Sequence, residues 1–421
     1  MDVGSILIVL PVLIIFSYLF DILAIRTKFP SVILLVLTGI IARFISTYYG
    51  FDNFKFLDNL VPVLGTIGLI LIVLEAALEL EIKREKMSII IKGFMAALII
   101  LLINIVLVSL FFEKIIGLPH PTSVIYAIPL SIISSAVAIP SASGLITKNK
   151  EFIVYESTFS DILGIMFFYY SIRLAEKGES LIGFEPILTL IGQIILIIVL
   201  SLAITYLLFQ LIQRIEHHVK FFLILSLLIL AYEISKDLLK LPSLVLIFIF
   251  GIFLGNFSNL IPERFKKYTK TVKIDNEDIH EFNLLTAEST FLVRTFFFLF
   301  FGFSIPLESF IEFEPYIIGA TVLLIMYGVR YFYLAATNND NTSKPLLYFS
   351  PRGLITILLF LSISDYEILK SSIIDEKVLL VIIIASMLIM IQGSITQKKD
   401  EAKNKETSQQ SLSEIVDEQI D

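Results

Sequence analysis

Residues 152–170, FIVYESTFSDILGIMFFYY, are apolar enough to cross a bilayer yet carry Glu156, Ser157, Ser160 and Asp161 near their middle. Helical periodicity puts Ser157 and Asp161 one turn apart on one face, with Glu156 and Ser160 one turn apart beside them. An ionisable side chain at membrane depth is expensive and is rarely retained without a role. Carboxylate, hydroxyl and carbonyl oxygens are the ligands that hard cations prefer. In a low dielectric the charged form of a carboxylate is penalised, so a proton or a monovalent cation can neutralise it, one excluding the other. The chemistry expected here is competition between cation and proton at Asp161, with the Ser157 and Ser160 oxygens beside it.

Other polar groups fall inside apolar stretches. VLGTIGLILIVLEAALELEI carries Glu75 and, one turn later, Glu79. Glu79 is close enough to the end of its stretch to reach water, whereas Glu75 is deeper. In SIISSAVAIPSASGL, Pro140 removes a backbone donor, and Ser134, Ser135, Ser141, Ser143 and Gly144 surround it. The expectation is a broken helix around Pro140 and Ser141, which at bilayer depth must line a cavity or be buried in protein. Arg294 lies in FLVRTFFFLFFGFSIPL and Arg330 in LLIMYGVRYFYLAA, where snorkelling to an interface would account for the latter. In LLYFSPRGLITILLFL, Pro351, Arg352 and Gly353 predict a second break with a cation at it. The expected partner of Arg352 is a buried carboxylate, with Glu156 as the leading candidate.

Positioning these groups requires a polytopic membrane protein. The chain has 421 residues, 57% of them hydrophobic and 17% charged. Hydropathy marks about thirteen helices, near 4–24, 30–48, 59–80, 87–112, 121–146, 152–174, 186–212, 219–235, 241–257, 286–305, 314–335, 345–363 and 376–395. The fold class is therefore all-α. The N-terminal stretch lacks a basic region and a small-residue cleavage site, and reads as a retained first span. Arg26, Lys28, Lys83, Arg84, Lys86, Lys148, Lys150, Lys344 and a basic cluster from Arg264 to Lys273 fall on one side; Lys55, Lys114, Lys236 and Lys370 fall on the other. The positive-inside rule places the N-terminus outside and the C-terminus in the cytoplasm of a cell (inner) membrane protein. The longest loop, about 258–285, is then cytoplasmic, and residues 396–421 read as a short disordered tail. The two expected breaks are seven spans apart, so they have opposite orientation, the pattern of an inverted-repeat transporter with its site where the breaks cross.

Several chemistries are excluded. There is no cysteine, hence no disulfide, thiolate metal site or cysteine nucleophile. His120, His217, His218 and His280 fall in loops or at helix ends, and the adjacent pair lacks helical ligand spacing. There is no phosphate-binding glycine loop, so transport must run on ion gradients and no cofactor is expected. Ser, Glu and Asp on one helix without a histidine or metal partner argue against an enzyme, and no nucleic-acid partner is expected. A different inverted-repeat transporter, for an organic anion or a sodium-coupled symport, would need a substrate-binding arginine such as Arg330 or Arg294. A channel would need a filter-like carbonyl segment, which is absent from the sequence.

Four segments carry a resemblance to the cation:proton antiporter superfamily, in particular its sodium/proton exchanger branch, over about residues 1–395. LEAALEL is similar to that branch's FEGGLEL-type segment. YESTFSDILGI is similar to its GESLLNDG segment, with Glu156, Ser157 and Asp161 in register. FFFLFFGFSI and SPRGLITI resemble its tenth-span and GPRG segments. The resemblance implies a homodimer with dimerisation helices at about 1–80 and 186–257 and a mobile core at about 87–174 and 314–395. It implies elevator-like exchange of Na+ (or K+ or Li+) for protons at Asp161, with Ser157 and Glu75 helping to ligate the ion. It further implies a buried ion pair of Glu156 with Arg352 joined to Ser160, and Arg330 opposite the carboxylate site. Two departures stand out. The family's Asn-Asp or Asp-Asp pair reads Ser160-Asp161, which favours electroneutral exchange. Its Thr-Asp-Pro is matched to Ala138-Ile139-Pro140, so the usual threonine and aspartate are missing.

Overall fold

In the computed structural model, described residues are 11–20, 22–23, 30–49, 55–142, 145–178, 184–214, 221–237, 243–256, 276–305, 313–337, 345–366, 369–371 and 373–393. Most of the long loop expected at 258–285, the tail, Ser143, Gly144, His217 and His218 lie outside them. Among the described residues the regular structure is helical: α1 (Pro11–Phe20), α2 (Ser31–Tyr48), α3 (Lys55–Glu79), α4 (Met87–Phe111), α5 (His120–Ser131), α6 (Ser135–Ser141), α7 (Thr147–Glu176), α8 (Phe184–Arg214), α9 (Phe221–Asp237), α10 (Leu244–Gly255), α11 (Asn276–Ser304), α12 (Glu314–Thr337), α13 (Leu354–Ser362) and α14 (Glu376–Gly393). α11 starts ten residues before the expected 286. Hydropathy sees only its apolar part, and the polar first turns NEDIHEFN continue the same helix.

Seven segments among the described residues are long and apolar enough to cross a membrane. Their burial differs in a way that locates the centre of the molecule. The α5–α6 span has 83% of its apolar window buried and α7 72%, whereas α4 has 39%. α4 therefore presents an apolar flank of Ile91, Ile103, Val106 and Leu110 to the outside, as a lipid-facing helix must. α5, α6 and α7 are enclosed by protein, which is where polar groups at membrane depth can be satisfied.

The helices pack as two groups. In one, α11 lies along α2 and α3, α10 lies against α3 and α8, and α1 is tied to α11 by a Ser17–Thr295 hydroxyl contact of 2.7 Å. In the other, α4 packs on α7, α5 and α12, while α6 lies on α7 and α13 on α5. The groups meet mainly where α3 touches α13 and α7 and where α10 touches α7. The chain passes from the first group to the second through the extended segment Leu80–Lys83. The buried Asn256, just past α10, holds this segment from one side: its amide donates to the Leu80 carbonyl at 2.6 Å and accepts from the Ile82 N–H at 2.7 Å. From the other side, the Tyr155 hydroxyl of α7 donates to the Glu81 carbonyl at 2.8 Å. Thus both groups supply a partner to backbone groups of the same short linker.

Small residues set the tightest contact of the first group. A Cβ on Gly39 of α2 would lie 2.2 Å from the Leu299 carbonyl oxygen, and one on Gly302 of α11 would lie 2.2 Å from that of Val36. The two backbones approach closely because neither position carries a side chain, the usual device for packing helices in lipid. Gly302→Ala is expected to lower stability by about 1–3 kcal/mol, the typical range for overpacking a tight site. A thermal melt of the purified protein should show a lower midpoint than wild type, and an unchanged midpoint would mean the helices can part without loss.

Candidate functional site: a carboxylate at the crossing of two broken helices

The first break lies at Ile132–Ser134, between α5 and α6. The expected position, Pro140 with Ser141, is corrected: both residues are within α6, near its C-terminal end. A proline weakens a helix by removing one donor, but the backbone opens where other partners for its polar groups exist. Three successive N–H groups find such partners here. Ile133 donates to the Ser160 hydroxyl at 3.0 Å, Ser134 to the Pro351 carbonyl at 2.9 Å, and Ser135 to Asp161 Oδ2 at 3.1 Å. The second break is the extended run 349–353 before α13, as expected from Pro351 and Gly353. The two breaks therefore cross and are bonded backbone to backbone. Gly353 sits at the crossing, where a Cβ would be 2.5 Å from Ser134 Oγ and 2.9 Å from Ser134 Cβ.

Asp161 is buried, and Ser135 is its partner: besides the N–H bond, the Ser135 hydroxyl donates to Oδ2 at 2.5 Å. The other oxygen, Oδ1, is buried with no partner among the described residues. A buried acceptor left open is a site awaiting a proton, a cation or a water. Ser135 also lines a cavity of about 700 Å³, together with Ala136, Ile139 and Pro140 of α6, Glu75 and Glu79 of α3, and Arg294 of α11. α7 contributes its first turns to the same cavity through Thr147, Lys150, Glu151, Val154 and Tyr155. One helix group thus brings Glu75, Glu79 and Arg294, the other brings Ser135, and Asp161 lies directly behind Ser135. At the mouth, Lys86 bridges Glu81 at 2.8 Å and Glu151 at 2.9 Å. Hydrogen bonds from Lys86 and Lys83 hold the Glu81 carboxyl below the ordinary carboxylate range.

The expected serines take different roles. Ser157 is buried, but its hydroxyl donates to its own helix, to the Ile153 carbonyl at 2.7 Å. Its lone pairs remain on the turn before Asp161. Ser160 accepts from the first broken segment and so anchors α7 to the break. Glu75 shares its cavity with Arg294, whose charge acts on it directly. Ser135 was not singled out by spacing, because it lies 26 residues from Asp161 and no helical period connects them. The hint available was a pair of serines ahead of a short alanine-containing helix, the composition of a helix start.

The ion pair expected between Glu156 and Arg352 is corrected. Glu156 pairs with Arg330, which donates from Nη1 to Oε1 at 2.6 Å and from Nη2 to Oε2 at 2.8 Å, with Nε on the Leu346 carbonyl at 2.8 Å. Both residues are within 1% of full burial, so Arg330 does not snorkel to an interface. The bidentate fork matches a carboxylate in both direction and charge. Arg352 is equally buried, but its donors are used at the breaks: Nε on the Leu130 carbonyl at 2.6 Å, Nη1 on the Ser350 carbonyl and hydroxyl at 2.9 Å, and Nη2 on Met326 Sδ at 2.8 Å. A helix stopped in mid-membrane leaves carbonyls without donors, and a cation at its C-terminal end satisfies one and complements its dipole.

The arrangement is that of a membrane ion transporter: a buried carboxylate at a crossing of broken helices, beside a cavity shared by two helix groups. Residues 12–398 match the family of sodium/hydrogen exchanger transmembrane domains, and the chain belongs to that family. It is accordingly a cation/proton antiporter and a multi-pass membrane protein. No curated protein sequence matches it. Among solved structures, the fold is similar to the sodium proton antiporter MjNhaP1 from Methanocaldococcus jannaschii at pH 8, with a TM-score of 0.68 and 22% identity over 94% of this chain and 99% of that one. An electron-microscopy structure of MjNhaP1 gives a TM-score of 0.65 and 21% identity over 96% of this chain and 97% of that one.

A double-mutant cycle distinguishes the two arginines. Arg330→Met and Glu156→Gln should each destabilise by about 3–5 kcal/mol, because each strands a buried charge or its partner. The Arg330→Met/Glu156→Gln double variant should lose clearly less than the sum, whereas Arg352→Met with Glu156→Gln should be close to additive. The reverse pattern in thermal or denaturant unfolding would return the pair to Arg352.

Proposed function

We propose that Asp161 is the exchange site, where one monovalent cation and one proton compete. The observation that carries this reading is the asymmetry of its carboxylate: Oδ2 is held by Ser135, while Oδ1 is buried and open. The ligand set is Asp161 with the Ser157 hydroxyl and Glu75, and Ser135 joins it as the oxygen between the cavity and the carboxylate. Ser160 supports the site by holding the break. These hard oxygen donors favour Na+, with K+ and Li+ as alternatives. Ser160 is uncharged, Glu156 is matched by Arg330, and the charge of Glu75 is offset by Arg294 in the same cavity, so in this reading Asp161 is the one carboxylate that loads. Each passage therefore moves either one cation or one proton, and exchange is electroneutral. Neutralising Asp161 lowers the penalty for carrying it through the membrane, which couples loading to movement.

The movement is elevator-like. The group built on α4–α7 and α12–α14 carries the site, and the group built on α1–α3 and α8–α11 is the scaffold through which two copies form a homodimer. In this reading the protein lies in the cell (inner) membrane with its N-terminus outside and its C-terminus in the cytoplasm, an orientation supported by the loop charges, and the 700 Å³ cavity then faces inward. An organic-anion transporter would need a substrate-binding arginine: Arg330 is fully engaged by Glu156 and Leu346, and Arg294, which does line the cavity, shares it with the carboxylates of Glu75 and Glu79, a lining that disfavours an anion.

In proteoliposomes with a pH-sensitive dye, Asp161→Asn should abolish cation-dependent proton flux while the protein remains folded; full exchange by that variant would sink the mechanism. An imposed membrane potential should leave the wild-type initial rate unchanged, and a rate that follows the potential would exclude electroneutrality. Ser135→Ala removes one hydroxyl ligand, which corresponds to about a fivefold rise in the KM for the cation if its net contribution is about 1 kcal/mol.

A further inference from the structure

A second cavity, of about 170 Å³, lies between the two helix groups at the other membrane face. It is lined by the last turns of α7, with Tyr169, Arg173 and Glu176, and by Tyr232 and Lys236 at the end of α9, with Tyr366 closing one side. The large cavity takes the first turns of α7 and this one takes its last, so the two sit at opposite ends of the same helix. Helix ends at a membrane boundary lie at the depth of lipid headgroups, where tyrosine is also favoured.

The chemistry of the lining is that of an anion site. The Arg173 guanidinium is about half buried and is bonded only to neutral acceptors, the Tyr169 carbonyl at 3.2 Å and Gln193 Oε1 at 3.0 Å. Its planar face lies 6.0 Å from the Tyr170 ring centre. Lys236 Nζ lies 5.9 Å over the Tyr232 ring. Among the described residues neither cation forms an ion pair, although Glu176 lines the same space. Among the described lining residues, two cations stand against one carboxylate, a net charge of +1. Snorkelling alone would carry both heads to water. Here both line a pocket at the seam between α7 of one group and α9 of the other, held by an amide and a ring.

We propose that this seam cavity binds a phosphate-bearing anion. The guanidinium fork takes two phosphate oxygens and the Lys236 ammonium supplies the second charge, a division that suits phosphate geometry. The volume suits a headgroup phosphate and is below that of pockets for larger ligands. The same chemistry serves the phosphodiester of an anionic phospholipid and free phosphate. Since α7 and α9 belong to different helix groups, an anion held by both ties the groups together at this face and slows their relative motion. This last consequence rests on the exchange mechanism proposed above.

The test is a thermal melt of the full-length protein in neutral detergent micelles, with phosphatidylglycerol, inorganic phosphate, or chloride at equal ionic strength. A bound anion raises the midpoint by mass action. The expected result is a rise of a few degrees with phosphatidylglycerol that Arg173→Gln/Lys236→Gln loses. Lys236→Arg should keep the rise, since it retains the two cations, and the single variants Arg173→Gln and Lys236→Gln should each lose part of it, which keeps the test decisive if the double variant folds poorly. A further rise with inorganic phosphate, lost in the same double variant, supports a site that takes the free anion too. No rise with either probe, or an equal rise in the double variant, overturns the proposal. The melt is independent of transport: a specific rise in a protein without cation–proton exchange would sink the functional reading and leave the site standing, and exchange without a rise would do the reverse.

Discussion

The structure depends on how one interrupted stretch of backbone is satisfied away from water. Between α5 and α6 the N–H groups of Ile133, Ser134 and Ser135 leave the helical ladder and are taken by Ser160, Pro351 and Asp161. An unpaired amide in a membrane interior costs several kcal/mol, so these acceptors are required for the break to exist. Two of them come from α7 and the third from the opposite broken segment. The same bonds that permit the break therefore fix where Asp161 stands and how the two broken helices cross. On the carbonyl side of the break, Arg352 answers Leu130. The proposed exchange site and the fold here share one set of polar contacts.

This dual use explains the division of labour among the buried charges. Asp161 has one oxygen committed to structure and one left open. Glu156 is matched on both oxygens by Arg330, which makes it a fixed strut between α7 and α12. Arg352 is held by neutral acceptors at the crossing, at the C-terminal end of α5. Of the two carboxylates buried on α7, Glu156 is ion-paired and Asp161 is not. The large cavity approaches the carboxylate through Ser135, so the residue that anchors it is also the first oxygen on the way to it.

The contact between the helix groups is arranged for the same purpose. The groups are joined by a linker whose polar backbone is shared by Asn256 and Tyr155, and they touch along a few helices rather than over a broad face. The proposed elevator-like movement would take place across this seam. The large cavity opens at one end of α7 and the small cationic one at the other, so both ends of the helix that carries Asp161 are places where the groups meet around open space.

Much of this was legible in the chain itself. Apolar runs located helices that overlap the expected stretches among the described residues, seven of them long and apolar enough to cross a membrane, because hydrophobic length is a local property. Glu156, Ser157, Ser160 and Asp161 declared themselves by being polar where polarity is expensive, and the Pro-Arg-Gly triplet marked the second break because its conformational demands are local as well. What the sequence could not decide were partnerships. The first break fell at Ile132–Ser134 and not at Pro140, since its position follows from acceptors on α7 and on the facing segment and not from the proline. Arg330, 174 residues from Glu156, displaced Arg352 as its partner because folding brought α12 to α7 and spent the Arg352 donors at the end of α5. Ser135 became the ligand of Asp161 for the same reason. Local residue type and period set which groups had to be accommodated inside the membrane, and only the tertiary packing determined which of them met.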